Sequence, residues 1–292
     1  MKSLFSRRHF LFVSLALLVA IPLYYGYTLA DTFLWSDREL QKFFRDKKYQ
    51  PIIDTLPWQG RAIRFVSIGE DSLPVLFFIH GAPGSWTDYV RYCDDSLLLR
   101  RARLVAYDRP GYGDSNCGAA LPSIEEQARL AAFLISLVAP EKPFVAIGHS
   151  YGGPIAARLA MYQPQHLRAL VLIAPAIDPE KEKQFFVNDL LTAMPPLQRL
   201  LPCNLLSAYH EKMTHVSELK AIAPQWNRIA VPTHYVYGRR DRIVPPENVA
   251  YAQRMLHAPL YITEFADGDH FLPWTQLDSI RTLLLRLAET YF

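Results

Sequence analysis

Cysteine is scarce in this chain of 292 residues, with Cys93, Cys117 and Cys203 making up the whole set. No C-x-x-C pair or Cys/His cluster accompanies them, which excludes a zinc-knuckle type of metal site and a disulfide scaffold. The expectation is three small, mostly buried side chains rather than one disulfide with a thiol left over. Glycine is outnumbered by proline, 13 to 22 and without any repeat, so neither a collagen-like nor a low-complexity chain fits. Charge of one sign is also lacking. Lys and Arg total 31 against 28 Asp and Glu, and Lys2, Arg7 and Arg8 account for the difference. The body beyond Ala30 is therefore neutral, and nothing marks it as a nucleic-acid binder. No G-x-x-x-x-G-K-[ST] and no H-E-x-x-H occurs, so phosphate cradling and zinc hydrolysis lack support, and no cofactor or metal is expected. Apolar residues, by contrast, make up 50% of the chain, enough for the core of one large α/β domain or two small ones.

From Phe10 to Ala30 no charged residue appears. At helical rise such a stretch covers about 32 Å, close to the thickness of the hydrocarbon layer of a membrane. Pro22 and Gly26 interrupt it before Thr28-Leu29-Ala30, whose small residues suit a signal peptidase, so residues 1–30 read as a signal peptide or a signal anchor. Ser6-Arg7-Arg8-His9-Phe10-Leu11-Phe12 resembles the twin-arginine export motif except at its last position, although a plain basic flank is the favoured reading. Arg7 and Arg8 abut the span, which keeps the N-terminus in the cytoplasm and sends the body outside, as a released protein or one anchored in the inner membrane through residues 10–30.

Beyond this segment, strand-length apolar runs alternate with helical patterns. Arg61 to Ile68 and Val75 to Ile79, separated by Gly69-Glu70-Asp71-Ser72-Leu73-Pro74, read as a hairpin or adjacent pair. Further strands are expected at Leu104–Tyr107, Phe144–Ile147, Leu170–Ile173, His234–Tyr237 and Leu260–Phe265. Helices are expected at Trp86–Leu99, Ser123–Val138 with a Ser123/Glu126 capping box, Tyr151–Tyr162, Pro246–Leu256 and Trp274–Tyr291. This order calls for an α/β fold, a mostly parallel central sheet with helices on both faces. The alternation breaks at residues 176–228, an apolar, proline-broken helical insertion that divides the core into parts 31–175 and 229–292. Its place between two core strands makes it a candidate lid over the crevice where open α/β sheets bind ligands.

Gly148-His149-Ser150-Tyr151-Gly152 follows a strand and opens a helix, the context required of a G-x-S-x-G nucleophile elbow. A serine lifted on such a turn needs near-absent side chains where backbones approach, and it lies at a helix N-terminus that favours developing negative charge. With this motif the chain resembles the α/β-hydrolase family over residues 61–292, apart from most of the insertion. His80-Gly81-Ala82-Pro83-Gly84 is similar to the family's H-G-x-P-G. Asp108-Arg109-Pro110-Gly111-Tyr112-Gly113-Asp114-Ser115 is similar to its D-x-x-G-x-G-x-S loop. The stretches Gly238 to Pro245 and Gly268-Asp269-His270-Phe271 are similar to its acid and histidine loops.

The resemblance implies Ser150 as nucleophile, His270 as base and later acid, and Asp241 as the carboxylate that orients the imidazole, with Asp178 as the alternative acid. It also implies the backbone N–H groups of Ala82 and Tyr151 as oxyanion donors. The chemistry asks for such a set, because a serine hydroxyl is a poor nucleophile until a hydrogen-bonded base removes its proton. His149 is expected to turn from the nucleophile, His80 to make a structural hydrogen bond, and His215 to be surface, lid or packing. Epoxide hydrolases and haloalkane dehalogenases share H-G-x-P-G but use an aspartate nucleophile, where this chain has Ser150. The implied function is hydrolysis of a small-molecule carboxylic ester with an apolar group. An acyltransferase, an amide, peptide or carbon–carbon bond hydrolase, and an idle membrane-tethered binding protein are the alternatives.

Overall fold

The computed structural model describes residues 35–292. The expectation of a membrane-inserted or cleaved segment therefore lies outside the described residues. Among the described residues no helix is long and apolar enough to cross a membrane.

Helix α1 spans Asp37–Phe44 and opens on a complete capping box between Ser36 and Glu39. Strands β1 (Ile52–Trp58) and β2 (Arg61–Ile68) form a hairpin, then come β3 (Val75–Ile79) and β4 (Arg103–Tyr107). Helix α2 (Ile124–Val138), β5 (Phe144–His149), α3 (Gly152–Met161) and β6 (Leu167–Ile173) follow. After the insertion come β7 (Thr233–Gly238), a helix at Asn248–Met255, β8 (Leu260–Phe265) and a last helix at Leu277–Tyr291. The eight strands form one sheet in the order β1-β2-β4-β3-β5-β6-β7-β8. Only β1–β2 and β2–β4 pair antiparallel, and the pairs from β4 to β8 are parallel. A mostly parallel sheet with helices is as the sequence implied.

Both faces of the sheet centre are covered. Val75, Phe77 and Ile79 of β3 join one buried cluster with residues of α2 and α3, while Leu76 and Phe78 join the other with Leu40, Phe44, Ile280 and Leu284. This is the period-2 alternation of a strand packed on two sides, which is why its sequence is uniformly apolar.

The structure corrects four expectations. β2 and β3 are not a pair: β4 lies between them, and the hairpin is instead β1–β2, closed by Gln59 and Gly60 with φ of 46° and 75°. The helix expected at Trp86–Leu99 is broken into a 3-10 turn at Trp86–Tyr89 and one helical turn at Ser96–Leu99, because Ser85 and Asp95 each start a new turn with their side chains. Only half of the Ser123/Glu126 box forms: the Ser123 hydroxyl accepts from Glu126 N–H, while the Glu126 carboxylate accepts from the Gln59 amide and pairs with Arg129. Finally, Cys117 and Cys203 form a disulfide and only Cys93 is a free, buried thiol. Chain folding brings together residues that spacing alone keeps apart.

Candidate active site

The carboxyl ends of the parallel strands meet where β3, β5, β7 and β8 each release a loop, the crevice in which open α/β sheets bind ligands. β5 ends at His149 and α3 begins at Gly152, so Ser150 stands on a two-residue turn. Its φ is 52°, a left-handed conformation rare outside glycine. The turn closes only because its flanks lack side chains. A Cβ on Gly148 would stand 2.3 Å from the Gly152 carbonyl oxygen, and one on Gly152 would stand 2.2 Å from that of Ile79.

Three residues far apart in sequence converge here. Ser150 Oγ lies 2.9 Å from His270 Nε2, and His270 Nδ1 lies 2.7 Å from Asp241 Oδ2. All three are buried. Asp241 follows β7, and its second oxygen accepts from the N–H groups of Ile243 and Val244 at 2.8 Å each. Asp269 shapes the histidine loop by accepting from Phe271 N–H at 2.9 Å. Asp178 is buried but stands apart: it accepts from Glu180 N–H at 2.9 Å and lies 3.9 Å from Arg254. Of the two carboxylates the sequence offered, the geometry brings Asp241 to His270.

His149 Nε2 donates to the His270 carbonyl at 3.1 Å and its ring lies against Trp274, bracing the histidine loop from behind. Burial, reinforced by the charge of His270, pushes His149 down to about 3. His80 is structural as expected, its Nε2 accepting from Arg109 N–H at 2.8 Å. Burial and the Arg109 charge hold it well below the usual histidine range, which keeps that nitrogen an acceptor.

Arg109 is a contact the sequence reading missed. Its Nε donates to the His80 carbonyl and its Nη2 to the Gly81 carbonyl, both at 2.9 Å, which fixes the loop leading to Ala82. Its other face pairs with Glu211 at 2.5 Å, both fully buried. Tyr112 and Gln127 also donate to that carboxylate, at 2.5 and 2.8 Å. Burial works against the guanidinium, yet the Glu211 charge outweighs it and keeps Arg109 firmly protonated. Removing either partner of such a pair leaves an uncompensated buried charge.

Above Ser150 lies a cavity of about 390 Å³ lined by Ala82, Ser150 and Tyr151 below and by Phe185, Leu191 and Leu205 above. Its upper wall belongs to the insertion, which forms helix α4 (Phe186–Ala193), a 3-10 turn at Pro195–Leu200 and helix α5 (Cys203–Ile222). Positions 203, 207, 211 and 218 of α5 lie on one helix stripe and all engage the core: a disulfide to Cys117, Ser207 to the Gly111 carbonyl at 2.7 Å, Glu211 to Arg109, and Glu218 to Ile124 N–H at 2.9 Å. The neighbouring stripe, Ala208, Lys212 and His215, faces the cavity. Among the described residues no group of three or more His, Cys, Asp or Glu could hold a metal ion.

Comparison with known proteins places this geometry in context. A family model described as "Alpha/beta hydrolase family" matches residues 76–279. The rat bifunctional epoxide hydrolase 2 is 34% identical over 130 residues, covering 42% of this chain and 22% of that protein. The chain thus spans about a fifth of that relative's length. A bacterial membrane phospholipase A superposes with a TM-score of 0.62 at 21% identity, covering 98% of this chain and all of that one. A haloalkane dehalogenase from Agrobacterium tumefaciens C58 gives 0.64 at 17% identity, covering 85% and 98%. At such identities the likeness is one of fold.

Proposed function

This chain belongs to the alpha/beta hydrolase family, and from that membership we propose that it is a serine hydrolase of carboxylic esters bearing an apolar group. The observation that carries the reading is the hydrogen-bonded series Ser150–His270–Asp241 on the floor of an apolar cavity. His270 Nε2 takes the Ser150 proton as Oγ attacks the ester carbonyl. Asp241 holds Nδ1–H and stabilises the imidazolium that forms. The N–H groups of Ala82 and Tyr151 take the oxyanion, and the alcohol leaves with the proton returned by His270. Water, activated by the same histidine, then releases the acid and restores Ser150. The rat epoxide hydrolase likeness does not redirect this reading, because a serine occupies the elbow where those enzymes use a carboxylate.

The insertion acts as the lid, supported by its place as the upper wall of the cavity. The body works outside the cytoplasm, released after Ala30 or held at the inner membrane by residues 10–30. The Cys117–Cys203 disulfide suits an oxidising compartment.

The catalytic reading is tested with an alkyl phosphonate probe and with Ser150→Ala. The probe is expected to label Ser150 alone, and the variant, folded, to lose on the order of 10⁴-fold or more in kcat on p-nitrophenyl esters. Undiminished turnover by the folded variant would remove Ser150 from the mechanism. A wild-type protein that the probe leaves unlabelled would support the idle binding protein instead.

A further inference from the structure

An apolar cavity has no use for polar atoms without partners, yet among the described residues two polar side chains in the wall above Ser150 have such atoms. His215, on α5, is 1% exposed and lines the cavity. Its Nδ1 lies 3.0 Å from Glu182 Oε1, while its Nε2 is buried and meets no hydrogen-bond partner among the described residues. Glu182 also accepts from Lys212. Although burial opposes its charge, His215 and Lys212 together hold Glu182 at about 2, so it is an ionised acceptor. Nδ1 therefore donates to it, and Nε2 is the ring nitrogen left without a partner. The second side chain is Asn188 on α4, 8% exposed, which lines the same cavity. Among the described residues, the hydrogen bonds at this residue outside its own helix ladder involve its backbone, with Phe185 and Thr192, and none engages its carboxamide.

The His215 ring lies against that of Tyr151, centroids 4.6 Å apart, and Tyr151 is the residue after the nucleophile. A buried polar nitrogen left unpaired is destabilising, and native proteins rarely keep one without a use. The chemistry of the pair selects its guest. A hydroxyl both donates and accepts, so it can meet the ring nitrogen and the carboxamide at once. An alkyl group satisfies neither.

We propose that His215 and Asn188 form a polar subsite that binds a hydroxyl group of the substrate, so that the preferred substrate is a hydroxy-substituted ester rather than a plain alkyl ester. The position of that hydroxyl near the scissile carbonyl rests on reading Ser150 as the nucleophile, whereas the binding does not.

The test uses the full chain carrying Ser150→Ala, titrated calorimetrically with ethyl hexanoate and with its derivatives hydroxylated at carbon 3, 5 or 6. One hydroxy ester is expected to bind about tenfold more tightly than ethyl hexanoate, the scale on which sites built to hydrogen-bond a hydroxyl begin to reject its absence. Adding His215→Phe or Asn188→Leu is expected to erase that preference to within about twofold, read in each variant as the ratio of the two affinities. Lys212 continues to pair Glu182 in the His215 variant. Should that variant nevertheless fail to fold, Asn188→Leu on the other helix decides. The ¹⁵N resonance of His215 Nε2 gives a further readout, shifting with the hydroxy ester and not with ethyl hexanoate. A hydroxy series that never exceeds the parent, or a preference that survives both substitutions, overturns the subsite. Failure of the esterase reading shows up separately, as wild-type protein that neither hydrolyses ethyl hexanoate nor takes the phosphonate on Ser150.

Discussion

The two oxygens of Asp241 are engaged separately, Oδ2 receiving His270 Nδ1 while Oδ1 is held by the N–H groups of Ile243 and Val244. Replacing one oxygen by an amide nitrogen leaves the volume unchanged but lets the imidazole adopt the wrong tautomer. Asp241→Asn is expected to lower kcat by about 10³ to 10⁴, whereas Asp178→Asn, which only loosens a turn at Glu180, should change kcat little. Steady-state kinetics on one ester with both folded variants ranks them, and the opposite order would make Asp178 the orienting acid. A second residue-scale consequence concerns acid. His149 sits at about 3 against an ordinary 6.5, so the folded state binds fewer protons than the unfolded one across that interval. The sign is that of a depressed group: its contribution is intact above pH 6.5 and lost progressively as pH falls toward 3. His149→Phe is therefore expected to be less stable than wild type at pH 7 yet to lose less on going to pH 4.5, measured by urea unfolding at both values. Parallel losses in the two proteins would contradict it. Ser150, His270 and Asp241 could be named from the sequence because each lies in a motif of its own. Arg109, Glu211 and His215 have their significance only through partners such as Glu211, 102 residues from Arg109, and no local pattern announces such pairings.

At the scale of elements, periodicity succeeds where burial is uniform and fails at the margins. Every residue of β3, β4 and β5 is buried, and apart from Arg103 at the start of β4 and Gly148-His149 at the end of β5 their sequences are apolar runs that identify a strand on sight. β1 was not expected: it is an edge strand, largely exposed, with Asp54 and Pro57 inside it. α1 was missed for the complementary reason, since only Leu40 and Phe44 of its eight residues are buried. Strand order escaped as well, because nothing in the turn before β3 tells whether the chain pairs with its predecessor or crosses over. The insertion shows what this means for function. The stripe of α5 that engages the core makes that helix a fixed wall, whereas Phe185 and Val187, which line the cavity and are 40% and 38% exposed, border its mouth. Replacing both by Ser is expected to raise KM for long-chain p-nitrophenyl esters by about tenfold or more and for the acetyl ester by less than about twofold, since only a long chain would reach them. Because both side chains are already partly in water, the fold should survive. Equal increases for both esters would make this part of the insertion merely structural.

For the molecule as a whole, the disulfide is the feature that ties these elements together. Cys117 belongs to the loop after β4 and Cys203 to the first turn of α5, 86 residues later, so the bond closes a loop around much of the core and fastens the insertion to it. Spacing gave no hint of this, because it is β4, α5 and their loops that bring the two residues together. A cross-link of such span acts chiefly by restricting the unfolded chain, and Cys117→Ser with Cys203→Ser is expected to destabilise the protein by about 2–5 kcal/mol in urea unfolding. The Arg109–Glu211 pair and the Ser207 and Glu218 contacts remain in that variant, so α5 should keep its seat and hydrolysis of a soluble ester at low temperature should be nearly unchanged. The same bond tests where the body works. In protein taken from its native host under thiol-blocking conditions, Cys117 and Cys203 are expected to react with a maleimide only after reduction, as suits an oxidising compartment. Cys93, already reduced but buried, should react on unfolding alone. If Cys117 and Cys203 label without reductant, the body resides in a reducing compartment. Phe10 to Ala30 would then have to be read as a segment that does not export the body, and the basic residues from Arg38 to Lys48 would become the flank that stays in the cytoplasm.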